Sequence, residues 1–286
     1  MPLSGKARIA GVMGWPVSHS LSPRLHGHWF ERYGIDGAYI PLPVHPRDLA
    51  GAFRVLPRVG FRGWNVTLPH KEAAFELVDE RDERAERAGA VNTVLVLEDG
   101  RTRGLNTDGR GFLASLTATV PGWSAAAGPA MLVGCGGAAR AVAAALLEAG
   151  VPGLRLTNRT PDRARALAHA LQPWSRDVAV VPWAERAEAL TGLALLVNAT
   201  TQGMPGQPPL DLGLDRLPPE AVVVDLIYVP LETPLLAAAR HRGHRTVDGL
   251  GMLLHQAVPG FAHWGGVEPE VDELLRRHVL AGLPPG

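Results

Sequence analysis

Lys71 is the first residue whose type suggests chemistry. Of the 28 basic residues in this 286-residue chain, only Lys6 and Lys71 are lysine and the other 26 are arginine. A guanidinium stays protonated in a protein, whereas an amine can give and take a proton. A lysine kept where arginine is habitual points to a site that needs an amine; codon bias explains the arginine excess on its own. Lys6 lies in a terminal stretch where fraying is expected. Lys71 closes Asn65-Val66-Thr67-Leu68-Pro69-His70-Lys71, which puts polar groups at a strand end and a lysine in the first turn of a helix. The helix dipole disfavours a cation there, so the position asks for a compensating reason.

Two more polar motifs precede the middle of the chain. In 14–23, Ser20 and Ser22 place hydroxyls two residues apart just before a helix, where they can hold a carboxylate. Ser22 also reads simply as the helix N-cap. Gly89-Ala90-Val91-Asn92-Thr93 is followed by Gly104-Leu105-Asn106-Thr107-Asp108-Gly109.

Gly134-Cys135-Gly136-Gly137-Ala138-Ala139 satisfies the G-x-G-x-x-G/A spacing, with a strand ending before it and a helix opening within it. Such glycines let the backbone approach a pyrophosphate seated on the helix N-terminus. Without a dinucleotide the same residues make an ordinary glycine-rich turn. An NAD site usually places an acid about 20 residues further on. Here Asn158-Arg159-Thr160 and Arg163 stand at that point, with Asp162 between. Two guanidiniums suit a 2′-phosphate, hence NADP over NAD; the plain alternative is two solvated surface cations. Cys135 reads as a small buried hydrophobe. A helix N-terminus would instead lower its pKa, and alkylation would then block the cofactor.

Composition bounds the rest. Hydrophobic residues make up 46%, and 33 Gly with 25 Pro forecast many tight turns. A net charge of zero excludes a chain built as a whole for nucleic acid or anionic membrane. One cysteine excludes an intrachain disulfide and a cysteine-based zinc site. Eleven histidines, His26, His28, His241 and His244 among them, lack the spacing and acidic partners of a metal site, so none is expected. No targeting or transmembrane segment is recognised; the most apolar stretch, 130–150, carries Arg140 and is broken early by glycine. A cytoplasmic location follows by default.

The elements that must position these residues alternate short β-branched runs with helical stretches, which predicts an α/β architecture. Strands are expected over 9–13, 38–44 (an edge strand, given its prolines), 61–66, 91–97 and 101–105, the last two flanking an Asp99-Gly100 hairpin turn. Helices are expected over 23–33, capped by Ser22 and stopped at Gly34, and over 46–56 and 69–78. A second, doubly wound unit begins near residue 106. Its strands are expected at 130–133, 154–157, 178–181, 193–197 and 222–226. Its helices follow the glycine turn as far as Glu148 and start at Pro161, with Thr160 as cap. The chain from Gly249 onward reads as helical with a Pro/Gly-rich end, and no fixed-period repeat is present.

In combination the motifs are specific. The chain closely resembles shikimate dehydrogenases in 19–23, 65–71, 89–93, 106–109, 134–139, 158–160, Asn198-Ala199-Thr200, and Asp248-Gly249-Leu250-Gly251-Met252 with Gln256. The stretches run in family order over nearly the whole chain. The resemblance implies two α/β domains with a cleft between them. One is a substrate domain with a mixed sheet, from 1–107 and 247–286; the other is a Rossmann-like NADP domain, 108–246. It implies that Ser20, Ser22 and Tyr228 hold the shikimate carboxylate. Asn65, Thr67, Asn92, Asp108 and Gln256 would contact ring hydroxyls, and Lys71 and Asp108 would be the catalytic pair. The cofactor would lie against Gly134, Gly136, Gly137, Ala138, Ala139, Asn158, Arg159, Thr160, Arg163, Thr200, Ile227 and Gly249. Departures are Cys135, where alanine is usual, and Thr201-Gln202, where serine-type residues are common. The expectation is an NADP-dependent reduction of 3-dehydroshikimate by a monomer or homodimer. Alternatives are a quinate/shikimate dehydrogenase using NAD as well, a non-catalytic shikimate sensor, and, disfavoured by the paired serines and Gln256, a folate dehydrogenase.

Overall fold

The computed structural model describes residues 3–175 and 177–283. The last three residues of the Pro/Gly-rich end, 284–286, lie outside them. The chain divides into two compact units. One is formed by the chain up to Thr107 together with the stretch from Leu253, the other by Asp108–Met252.

In the first unit, β1 (Arg8–Gly14), α1 (Ser22–Arg32), β2 (Gly37–Pro43), α2 (Leu49–Val55), β3 (Phe61–Val66) and α3 (Lys71–Leu77) come first. β4 (Glu80–Arg81), α4 (Glu83–Ala88), β5 (Thr93–Val96) and β6 (Thr102–Leu105) follow. The sheet order is β2-β1-β3-β5-β6-β4. β1 runs parallel to β2 and β3, while β5 runs antiparallel to β3 and β6, so the sheet is mixed. β2 lies at the edge, where Pro41 and Pro43 cost no ladder bond on the open side. Met13, Trp64, Val66 and Val94 pack under Phe53, Ala74 and Val78. An aromatic cluster of Trp29, Tyr39, Phe261 and Trp264 surrounds His26.

Local differences from the sequence expectations have physical causes. The stretch 46–56 is not one helix: a 3-10 turn over Pro46–Asp48 precedes α2, and a second over Leu56–Val59 follows it. Pro57 has no N–H to continue an α-helical ladder. Ser22 is not the cap of α1. Leu21 occupies that position without a side-chain cap bond, and Ser22 is the first helical residue, its side chain buried. The helix expected over 69–78 starts only at Lys71, after a turn in which His70 N–H donates to Thr67 O at 2.9 Å. α4 escaped the sequence reading because 80–88 is nearly all charged. Asp82 caps it, accepting from Ala85 N–H at 2.7 Å. The Asp99-Gly100 hairpin forms, with Gly100 at φ 81°.

The second unit contains α5 (Asp108–Thr119), β7 (Ala130–Val133), α6 (Gly137–Glu148), β8 (Leu154–Thr157), α7 (Pro161–Leu171) and β9 (Val178–Val180). β10 (Leu195–Asn198), β11 (Val222–Asp225), α8 (Pro234–His241) and β12 (Arg245–Val247) complete it. All strands run parallel, in the order β12-β11-β10-β7-β8-β9. Strand order reverses between β7 and β10, so their carboxyl ends form the switch point where such sheets bind ligands. Leu132, Val142, Leu146, Leu156 and Val197 fill one face; Met131, Leu196, Val223 and Leu236 fill the other. Pro161 opens α7 as expected, but Thr160 makes no side-chain cap bond. The sequence reading did not separate α8 and β12 from the loops around them. The chain closes with α9 (Gly249–Gly265) and α10 (Glu273–Leu280). Among the described residues no helix is long and apolar enough to cross a membrane.

Candidate active site

The first unit gathers several of the expected residues into one buried network. Asn65 on β3 stands opposite Thr93 on β5 in antiparallel register. Its Nδ2 donates to Thr93 Oγ1 at 3.0 Å and to Asn92 O at 3.2 Å. Asn92 Oδ1 accepts from Thr107 N–H at 2.9 Å and from Thr93 Oγ1 at 3.1 Å. Asn92 Nδ2 donates to Thr107 Oγ1 at 3.0 Å and to Gln256 Oε1 at 3.3 Å. Gln256 Nε2 in turn donates to Leu253 O at 3.0 Å. Asn65, Asn92 and Gln256 are therefore brought together, and each buried amide has partners, as burial requires.

The remaining candidates of this unit sit on the loops after β1 and β3 or on the first residues of the helices that follow them. Thr67, half-buried, donates its N–H to Met13 O at 2.8 Å. Lys71, half-buried, opens α3, and its carbonyl accepts from Val91 N–H at 2.9 Å. That bond anchors the start of α3 one residue from Asn92. His70 Nε2 lies 2.7 Å from Val44 O, and burial lowers its pKa. Ser20 Oγ accepts from Ser22 N–H at 3.3 Å, so the two serines share one turn. The Ser22 hydroxyl meets the Tyr39 phenol.

In the second unit Asp108 is buried and is the first residue of α5, where the helix dipole favours an anion. Gly134 donates its N–H to Thr157 O at 2.8 Å and has φ 103°, which only glycine adopts readily. A Cβ there would come within 2.9 Å of the Ala199 carbonyl and of Thr200 Cγ2. Gly136 is the N-cap of α6, with open space where a Cβ would stand, and Gly137, Ala138 and Ala139 form its first turn. Cys135 N–H donates to Asn158 Oδ1 at 3.2 Å, and Asn158 Nδ2 donates to Thr160 O at 2.9 Å. Arg159 and Arg163 are exposed, while Asp162 pairs with Arg165 at 2.7 Å. The acid that complicated the motif thus faces another arginine. Cys135 is buried, as its reading as a small hydrophobe expects, and burial pushes its thiol up to about 12, outweighing nearby Arg140, which speaks against the alternative of a reactive thiol.

A second buried network ties the loops after β10 and β11. Asn198 Oδ1 accepts from Thr200 N–H at 3.0 Å and from Thr200 Oγ1 at 2.7 Å. Asn198 Nδ2 lies 3.1 Å from each oxygen of Asp225. Asp225 also accepts from Ile227 N–H at 3.1 Å and from Thr233 Oγ1 at 2.7 Å. Burial raises the Asp225 pKa, and these bonds oppose the rise. Gly249 N–H donates to Ile227 O at 3.1 Å, and a Cβ on Gly249 would come within 2.2 Å of Leu226 O. Tyr228 is half-buried, with its phenol pKa raised by burial.

Sequence reasoning missed Tyr39, Thr93 and Asp225. Asp225 left a signal: it is an acid ending the otherwise apolar 221–224 run of a central strand. Tyr39 left none, because its partner Asn65 is distant in sequence. Among the described residues no group of three or more His, Cys, Asp or Glu could hold a metal ion.

The sequence model of the family described as "Shikimate dehydrogenase substrate binding domain" matches residues 12–94. The NADP(+) shikimate dehydrogenase of Rhodospirillum rubrum is 59% identical over 279 residues, 97% of this chain and 99% of that one. The chain belongs to the shikimate dehydrogenase family. A shikimate 5-dehydrogenase of Thermus thermophilus, solved with NADP(H) and shikimate, is 39% identical with a TM-score of 0.85, covering 96% of this chain and 100% of that one. A quinate dehydrogenase of Corynebacterium glutamicum, solved with NAD, is 33% identical with a TM-score of 0.89 over 96% of this chain and 99% of that one. These two neighbours share a backbone yet were solved with different dinucleotides and carry different substrate names, so the fold alone does not decide selectivity.

Proposed function

We propose that the protein reversibly reduces 3-dehydroshikimate to shikimate with NADPH, a step of the shikimate pathway towards chorismate and the aromatic amino acids. The observation that carries this reading is Lys71 at the head of α3, anchored through Val91 next to the interlocked Asn65, Asn92 and Gln256. In this reading the unit formed by the chain up to Thr107 with its C-terminal return binds substrate. The Asp108–Met252 unit binds the dinucleotide.

The residues present suit NADP. Gly134 has no room for a Cβ, Gly136 leaves open space at the N-terminus of α6, and Arg159 and Arg163 are solvent-facing cations beyond β8. Gly134, Gly136, Gly137, Ala138 and Ala139 would hold the pyrophosphate by backbone N–H groups and dipole. Asn158, Arg159, Thr160 and Arg163 would take the 2′-phosphate, and Thr200, Ile227 and Gly249 the nicotinamide end. When bound, NADPH supplies the hydride for the keto carbon.

The chain's own groups do the rest. Ser20, Ser22 and Tyr228 hold the carboxylate; Asn65, Thr67, Asn92 and Gln256 orient the ring hydroxyls. Lys71 as ammonium gives a proton to the oxygen that becomes alkoxide, and as amine takes it back in the oxidative direction. Asp108 orients the same hydroxyl and favours the ammonium form. A sensor that only binds shikimate has no use for this proton donor. The reading takes the protein to be cytoplasmic, a monomer or homodimer, with a small molecule rather than nucleic acid or membrane as its partner.

Nicotinamide absorbance in a two-by-two assay, shikimate or quinate with NADP or NAD, tests the proposal. Turnover is expected with shikimate and NADP. Comparable turnover of quinate or with NAD would assign the broader dehydrogenase activity. Binding of shikimate without turnover in any combination would make it a sensor.

A further inference from the structure

Tyr39 is buried in the first unit, and its hydroxyl donates to Asn65 Oδ1 at 2.5 Å. The direction of that bond is fixed by the other end of the amide. Asn92 O is a carbonyl and can only accept, so the group 3.2 Å from it must be Asn65 Nδ2. Asn65 Oδ1 therefore faces the phenol, and the phenol must donate. Burial holds the Tyr39 pKa well above its ordinary value, so the proton stays on the oxygen. The Tyr39 ring is itself fixed, stacked on His26 with centroids 4.0 Å apart and planes 12° from parallel. His26 is fully buried on α1.

We infer that Tyr39 is a positioning residue for substrate recognition. It locks the Asn65 amide in one orientation, with both N–H bonds directed into the protein at Asn92 O and Thr93 Oγ1. With both N–H bonds used inside the protein, Asn65 can meet a ligand only as an acceptor through Oδ1, beside the His26 ring, which the Asn65 side chain also contacts. Asn65 accepts a hydrogen bond from a substrate hydroxyl and does not donate one. This inference rests on the reading of Asn65 as a substrate contact. Tyr39 itself does not touch the reacting atoms.

Tyr39→Phe keeps the ring and its stack on His26 and removes only the hydroxyl. The Michaelis constant for shikimate is expected to rise about tenfold, the worth of one hydrogen bond of about 1.4 kcal/mol. kcat should stay within about twofold and the Michaelis constant for NADP should not move, a split that general destabilisation would not produce. In an Asn65→Ala background the same substitution should have a smaller effect on shikimate, only the part that Tyr39 exerts through the Ser22 hydroxyl. Thr93→Val releases the amide from its nitrogen side and should reproduce the shikimate-selective loss, so the test survives if Tyr39→Phe folds poorly. An unchanged shikimate constant in both Tyr39→Phe and Thr93→Val, or effects that simply add to those of Asn65→Ala, would overturn the positioning role. If Asn65→Ala alone leaves the shikimate constant unchanged, the underlying reading of Asn65 as a contact fails instead, and the inference with it.

Discussion

Around Asn92 the buried polar groups are neutral; around Asp225 they converge on a charge. Asn65, Asn92 and Gln256 satisfy one another and Thr93 and Thr107 through amides and hydroxyls, each able to donate and accept. Asp225 gathers Asn198, Ile227 and Thr233, all as donors to one carboxylate. The difference follows from what each region must hold. In the proposed reading, a neutral network can offer hydrogen-bonding groups such as Asn65 Oδ1 to a polyhydroxylated ring without bringing a charge to it. A carboxylate that only accepts makes a rigid hub, and the loops it fixes carry Thr200 and Ile227. The hub costs desolvation, offset only while its donors stay in place.

The sharpest way to break the comparison is at Lys71, the proton donor proposed for the neutral side. Lys71→Ala should lower kcat by about 10²- to 10⁴-fold, the usual worth of a general acid. NADP affinity, measured by titration, should stay normal because the groups proposed to hold it lie in the other unit. Near-normal turnover would remove Lys71 from the chemistry.

Next comes the hub. Asp225→Ala leaves Ile227 N–H and Thr233 Oγ1 without their acceptor, each worth about 1–3 kcal/mol when stranded, and leaves Asn198 Nδ2 only the Gln202 carbonyl. A loss of about 3 kcal/mol is expected in urea unfolding, with weaker NADP binding. Thr107→Val removes one hydroxyl from the neutral network, whose other bonds remain, and should cost about 1 kcal/mol. A larger loss for Thr107→Val than for Asp225→Ala would reverse the proposed contrast. A smaller effect is expected on the outer rim of the cofactor unit. The double substitution Arg159→Ala with Arg163→Ala should weaken NADP by about 10- to 100-fold and leave NAD unchanged, by the worth of charge-assisted bonds to a phosphate. Equal weakening of both dinucleotides would place the 2′-phosphate elsewhere.

The same contrast explains what could be read from the residues alone. The α/β alternation, the glycine turn and the polar motifs are local patterns; β3 with Asn65 and α3 opened by Lys71 lie within the stretches they marked, Gly134 follows β7 as expected, and Asn92, expected on a strand, lies just before β5. Local reading failed where a partner far along the chain decides. Ser22 looked like a helix cap because a serine before a helix normally caps it; its burial against Tyr39, distant in sequence, turns the hydroxyl elsewhere. Cys135, read as a small buried hydrophobe, is one, and desolvation against the core outweighs the alternative of activation by the helix N-terminus. α4 and β12 are short and lack an apolar period; α4 forms on a local cap, Asp82, that its charged run hid, and β12 through pairing with β11 that no local window contains.

The smallest expected effect tests whether the first unit keeps its buried groups neutral. His26 is fully buried among Trp29, Tyr39, Phe261 and Trp264, and burial lowers its pKa from 6.5 to about 3. The unfolded chain takes up a proton at this residue near pH 6.5, whereas the folded chain does so only near pH 3. Between those values the unfolded state binds more protons, so stability falls as the pH drops through 6.5 and continues to fall towards 3. The slope contributed by one group is about 1.4 kcal/mol per pH unit. Urea unfolding at about pH 7 and about pH 5.5 should therefore show a wild-type loss that His26→Phe reduces by about 1 kcal/mol, since the phenyl ring keeps the aromatic cluster and cannot take a proton. An identical loss in both proteins would mean that His26 is protonated in the folded state, and that the network behind Asn65 holds a charge after all.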